Sequence, residues 1–65
     1  MRIKIKDVQG REEIWLNIKP WSKLKDALRI AKMEKRMAMV ERNSRRTIIL
    51  DNATLQQWDV IVVWQ

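Results

Sequence analysis

Hydrophobic and polar positions alternate strictly over residues 2–6, with Arg2, Lys4 and Lys6 on one side and Ile3 and Ile5 on the other. This period of two predicts a half-buried strand. Asp7 to Arg11 reads as a turn, with Gly10 suited to positive φ. Alternation resumes over 12–19: Ile14, Leu16 and Ile18 point inward, and Glu13, Trp15, Asn17 and Lys19 outward. Two such strands around a short glycine loop make a hairpin. Pro20 then breaks the strand, and Ser22 is placed to cap a helix. From Lys23 the period becomes 3.6, with Leu24, Ala27, Leu28 and Ala31 on one face and Lys25, Arg29, Lys32 and Arg36 in a basic stripe.

The stretch 34–42 admits two readings. Its Met, Lys, Glu, Arg and Ala residues tolerate helix to about Arg42. Alternatively, 36–42 is a strand, Asn43-Ser44 a hairpin turn, and Arg45 to Leu50 the returning strand. The strand is preferred because Thr47-Ile48-Ile49-Leu50 needs a pairing partner and a local hairpin supplies one. Asp51 to Thr54 reads as loop, and Leu55 as an apolar anchor beneath the sheet. The last stretch, Trp58 to Trp64, is the most apolar. Its four successive β-branched residues, Val60 to Val63, predict a buried strand with neighbours on both sides. The expected architecture is α+β, in the order ββαβββ, with about five strands in a mixed sheet and one helix on one face.

Length changes this picture little. Sixty-five residues make one domain, 1–65, and a domain of that size buries only ~60% of its unfolded surface. Cysteine and histidine are both absent, so no disulfide, soft-metal site, cofactor or nucleophilic chemistry is expected, and the chain reads as a non-enzyme. The two carboxylates of Glu12-Glu13 would point to opposite faces of a strand. A lone glycine leaves no phosphate loop. Asp51 and Asp59 read as a turn residue and a strand-start residue rather than cation ligands. No apolar run approaches the ~20 residues of a membrane span, and Met1-Arg2 leads into alternation rather than an apolar leader. A cytoplasmic location is expected.

Charge is uneven. Residues 1–46 hold all fourteen basic residues against six acidic ones, while 47–65 hold only Asp51 and Asp59. That asymmetry suits an acidic partner, protein or nucleic acid. The competing reading is a surface charged for solubility.

Two hairpin strands, a helix, a second hairpin and a last strand resemble the β-grasp, or ubiquitin-like, fold. The resemblance is nearest to its sulfur-carrier branch, ThiS and MoaD. Those proteins open with a strand like Met1-Arg2-Ile3-Lys4-Ile5 and close with a segment of the form L-x-x-G-D-x-I-x-V. Here that segment reads Leu55-Gln56-Gln57-Trp58-Asp59-Val60-Ile61-Val62-Val63, with Trp58 in the glycine position. Asn43-Ser44 stands where the family often has Asn-Gly. The resemblance implies a last strand lying parallel to the first near the sheet centre. Sulfur carriers end in a thin Gly-Gly tail whose carboxylate is activated. This sequence closes on Gln65, so a carrier role would need an extension beyond it, and a degenerate sulfur carrier is the least favoured of the readings that the resemblance implies.

Period two also assigns the outer face of such a sheet: Arg2, Lys4, Lys6, Trp15, Asn17, Val60, Val62 and Trp64. Trp and Val beside a basic row suit binding. The expected partner-binding residues are Arg2, Lys4, Lys6, Trp15, Val62 and Trp64, and the expected partner is a protein or a second copy of this chain. Nucleic acid is the alternative, with bases on Trp15 and Trp64 and phosphates on Arg2, Lys4 and Lys6. The helix stripe Lys25, Arg29, Lys32 and Arg36 is a secondary candidate for phosphates, set against a plain solvated face.

Overall fold

The computed structural model describes residues 1–48 and 52–64. Strands β1 (Arg2–Asp7) and β2 (Glu13–Asn17) precede helix α1 (Leu24–Ile30), and β3 (Met37–Arg42), β4 (Arg45–Thr47) and β5 (Val60–Trp64) follow it. They form one five-stranded mixed sheet in the order β2-β1-β5-β3-β4. The β-branched run of β5 lies at its centre, parallel to β1 and antiparallel to β3. No helix among the described residues is long and apolar enough to cross a membrane.

Turn chemistry explains both hairpins. Gly10 takes φ 73° in the first, where the Asp7 carboxylate accepts the Arg11 backbone N–H at 2.7 Å. In the second, Asn43 and Ser44 both have positive φ, 54° and 66°, as a two-residue type I′ turn requires. Strand β3 therefore prevails over continued helix in 37–42. The returning strand is described only to Thr47. Ile48 lies outside it and is exposed, and the expected continuation through Ile49 and Leu50 falls outside the described residues, as does Asp51.

The helix is short because its end is built by packing rather than by glycine. Lys32 turns into the left-handed region, φ 59°. Its N–H then donates to Arg29 C=O at 3.0 Å, and Met33 N–H to Leu28 C=O at 2.7 Å. This is the Schellman pattern. Met33 packs against the core cluster to which the buried Leu28 belongs, and an apolar contact of this kind accompanies the motif. The start also differs from expectation. Lys23, not Ser22, is the N-cap residue. Asp26 reaches back to accept the Lys23 backbone N–H at 3.0 Å, while Ser22 Oγ donates to Lys19 C=O at 2.6 Å.

Leu24, Ala27 and Leu28 of the helix pack on Ile3, Ile5, Val40, Ile61 and Val63 of the sheet, with Ile18 and Leu55 closing the ends. Leu55 is the expected anchor. Its N–H donates to Ser22 C=O at 2.8 Å, and Leu24 N–H donates to Ala53 C=O at 3.0 Å. These bonds tie the segment before β5 to the start of the helix.

Candidate functional site

The helix covers one face of the sheet. Across the other, register aligns Trp15, Lys4, Val60, Glu41 and Arg46 from β2 through β4. A second row places Glu13, Lys6, Val62 and Met39 side by side. Arg2 pairs with Asn17 at one end of this face, and Trp64 with Met37 at the other.

The most exposed part of this face is aromatic and cationic. Trp15, 55% exposed, meets Trp58, 61% exposed, edge to face, with ring centroids 6.4 Å apart and planes at 84°. Lys4 Nζ lies 5.4 Å and Arg2 Cζ 5.9 Å from the Trp15 ring, within cation–π range. Trp58 belongs to the turn before β5 rather than to the strand, and its φ is 70°. That turn is held from several directions. Trp58 N–H donates to Arg2 C=O at 2.8 Å and Asp59 N–H to Gln56 C=O at 3.1 Å. Gln57 Oε1 accepts Arg2 N–H at 2.8 Å.

Asp59 is the buried clamp beneath this turn, only 2% exposed. Arg42 grips it with two bonds, Nε to Oδ1 at 2.8 Å and Nη2 to Oδ2 at 2.7 Å. The Gln56 N–H donates to the same carboxylate at 2.8 Å. The Asp59 bond raises the Arg42 pKa above its ordinary value, against the opposing effect of burial. The guanidinium therefore stays charged throughout the working pH range. Asp59 is thus more than a strand-start residue: its carboxylate is fully engaged. Among the described residues no cluster of acidic side chains is arranged for a metal ion.

Charges on the open sheet face are interleaved. Lys4 Nζ lies 3.6 Å from Glu13, and Arg46 Nε donates to Glu41 at 3.0 Å. The Arg46 bond, with Lys6 and Lys4 nearby, holds the Glu41 carboxyl below its usual pKa, and desolvation opposes this only in part.

Two sequence expectations about this face need correction. Val62 points to it but is fully buried, between Lys6 and Met39 in register, so no partner reaches it. Trp64 is half-buried and pairs with Met37 at the far end of β5, so Trp15 and Trp64 do not form one platform. The structure brings Arg2, Lys4 and Trp15 together, with Lys6 half-buried in the adjoining row. Trp58 and the exposed Met37 are the residues that face assignment from the sequence missed. For Trp58 the available signal was its position where the resembled motif carries glycine. The expected helical stripe is also broken. Lys25 and Arg29 lie on α1, but Lys32 follows its end and Arg36 lies just before β3.

A scan against models of known protein families finds no match, and a search of curated proteins finds no significant relative.

Proposed function

We propose that this chain is a small non-enzymatic binding module of β-grasp, ubiquitin-like fold. It docks a protein partner, a second copy of itself included, through its open sheet face. The fold assignment is supported by the central β5 parallel to β1, by the buried Leu55 and Asp59, and by the left-handed backbone at Trp58, where the resembled motif has glycine.

The observation that carries the function is the Trp15–Trp58 pair. Two indoles, each more than half exposed, stand edge to face beside two cations on an uncovered sheet. Rigid aromatic area with Arg and Lys beside it is the composition of interface hot spots. The interleaved Glu13 and Glu41 favour a protein over a polyphosphate. Arg2, Lys4, Lys6 and Arg46 share the sheet face with these two acids, so the local surplus is two charges, and two of the four cations already have acidic neighbours.

The test is capture on the immobilised domain after nuclease treatment, run beside Trp15→Ala and Trp58→Ala domains, with sedimentation velocity over a range of concentrations. A protein retained by the wild type and lost from both variants supports the reading. So does a concentration-dependent mass that either variant abolishes. Equal retention by all three domains, with a fixed monomer mass, overturns it.

A further inference from the structure

The charge surplus of this chain lies elsewhere. The crossover from β2 to β3, residues 19–36, holds Lys19, Lys23, Lys25, Arg29, Lys32, Lys35 and Arg36 against Asp26 and Glu34. That is a surplus of five within a whole-chain charge of +6. Among the described residues none of these seven cations has an acidic group within salt-bridge distance, whereas Lys4, Arg42 and Arg46 of the sheet each do. Asp26 is already engaged with the Lys23 backbone. Six of the seven cations are exposed, and Arg36 is half-buried.

An aromatic residue stands in the same crossover. Trp21 is 81% exposed, with its backbone in the left-handed region at φ 71°. A bulky residue rarely adopts that conformation without cause. The turn around it is fixed by Ser22 N–H and Oγ, both donating to Lys19 C=O. The indole is therefore presented from a constrained turn and packs on nothing in the core.

We propose that this crossover binds single-stranded nucleic acid, with phosphates on Lys23, Lys25, Arg29, Lys32 and Lys35 and an unpaired base stacked on Trp21. Unpaired cations concentrated in one crossover attract a polyanion, and an exposed indole offers a base its π face. A single strand is favoured over a duplex because stacking on Trp21 needs an unpaired base. It is favoured over an anionic membrane because α1 spends its apolar face, Leu24, Ala27 and Leu28, on the core. An interfacial helix must keep that face free. This surface is distinct from the Trp15–Trp58 pair, so the two proposals stand or fall separately.

The test is a fluorescence-anisotropy titration of a labelled oligothymidylate with the whole chain at several salt concentrations. Five phosphate contacts predict a slope of about −3.5 in log K against log salt. Trp21→Ala is expected to weaken binding about tenfold, while Trp15→Ala leaves it unchanged. A Lys25→Gln/Arg29→Gln double variant should flatten the slope by about 1.4. Circular dichroism checks that each variant is folded, and the high exposure of all four substituted residues protects the core. Absence of binding at low salt overturns the proposal. So does binding that is insensitive to Trp21→Ala, or that Trp15→Ala abolishes. Co-sedimentation with phosphatidylserine vesicles that displaces the oligonucleotide, or occurs without any affinity for it, assigns the surface to membranes and likewise overturns it.

Discussion

Trp58 offers the sharpest test, because its backbone and its side chain can be perturbed separately. Its φ of 70° is costly for any residue with a Cβ, about 1–2 kcal/mol. Trp58→Ala and Trp58→Gly remove the same indole, and both lose the edge-to-face contact with Trp15, worth about 0.5–1.5 kcal/mol. They differ only at the backbone. Glycine escapes the left-handed penalty but gives up about 0.4–1 kcal/mol by freeing the unfolded chain. The difference leaves Trp58→Gly more stable than Trp58→Ala by about 1 kcal/mol. For a domain of this size that is about 4–8 °C in melting temperature. Against wild type, the relieved backbone strain roughly offsets the lost aromatic contact, so Trp58→Gly should melt close to it. Thermal unfolding of the three proteins by circular dichroism measures this. If Trp58→Ala is as stable as Trp58→Gly, the left-handed assignment at Trp58 is refuted. Partner binding supplies the second readout. Both variants should lose about 2 kcal/mol or more if Trp58 is a hot spot, so Trp58→Gly would separate stability from function. A Trp58→Gly domain that binds normally refutes the docking surface while leaving the fold untouched.

Lys32 and Ser44 are also left-handed, and neither is one of the tryptophans on which the two proposed surfaces centre. Lys32→Gly and Ser44→Gly should each stabilise the domain by about 0.5–1 kcal/mol in urea unfolding, and no gain at either would contradict the Schellman end or the type I′ turn. The Arg42–Asp59 clamp should respond asymmetrically. Arg42→Met leaves a carboxylate that is 2% exposed without its counter-charge, at a cost of about 3 kcal/mol. Asp59→Asn leaves a guanidinium that is 37% exposed and able to recruit water, so its cost should be smaller, and the reverse order would place the buried charge on the wrong partner. Glu41 has a folded pKa below its ordinary 4.5. Its contribution is therefore fully present above that value and is lost as pH falls through the lower folded value. Glu41→Gln should flatten the acid limb of the stability curve below pH 4.5, and an unchanged limb would rule the Arg46 bond out as its cause.

What was legible in the sequence follows from which interactions are local. The strands β1 and β2 were visible because side-chain direction repeats every two residues, and the Asn43-Ser44 turn because its flanking runs need each other as partners. The end of α1 was not visible. Glycine is the usual signal, and here Lys32 takes the left-handed position while Met33 closes the end by packing on the core. Tertiary contact did what composition normally announces. Face assignment told where Val62 points but not what covers it. Val62 is fully buried with Lys6 of β1 and Met39 of β3 beside it in register, and no pattern within β5 records them. The Arg42–Asp59 clamp was hidden for the same reason: seventeen residues separate its partners.

The left-handed residues connect the two proposed surfaces. The chain has one glycine, yet among the described residues five others adopt positive φ. Three of them belong to ordinary terminations: Asn43 and Ser44 make a hairpin, and Lys32 ends a helix. Asn is tolerated there readily, and Ser and Lys at modest cost. The remaining two are Trp21 and Trp58. Neither ends a helix or closes a two-residue hairpin, and glycine at either would relieve the backbone. Both indoles are mostly exposed, at 81% and 61%, so burial returns little of the cost. A domain this small has only about 5–15 kcal/mol of net stability to draw on. Strain of about 1 kcal/mol at each of two exposed tryptophans is therefore a sizeable concession, returned at Trp58 only by its contact with Trp15 and at Trp21 by no contact with the core. Strain held in place by surrounding bonds points to a use for what it presents. At Trp58 that is an indole set against Trp15 on the open sheet. At Trp21 it is an indole carried on the same crossover as the unpaired cations. If glycine raises the melting temperature at Trp21, leaves it close to wild type at Trp58, and removes both activities, one at each site, the strain and the binding have a common origin in these two side chains.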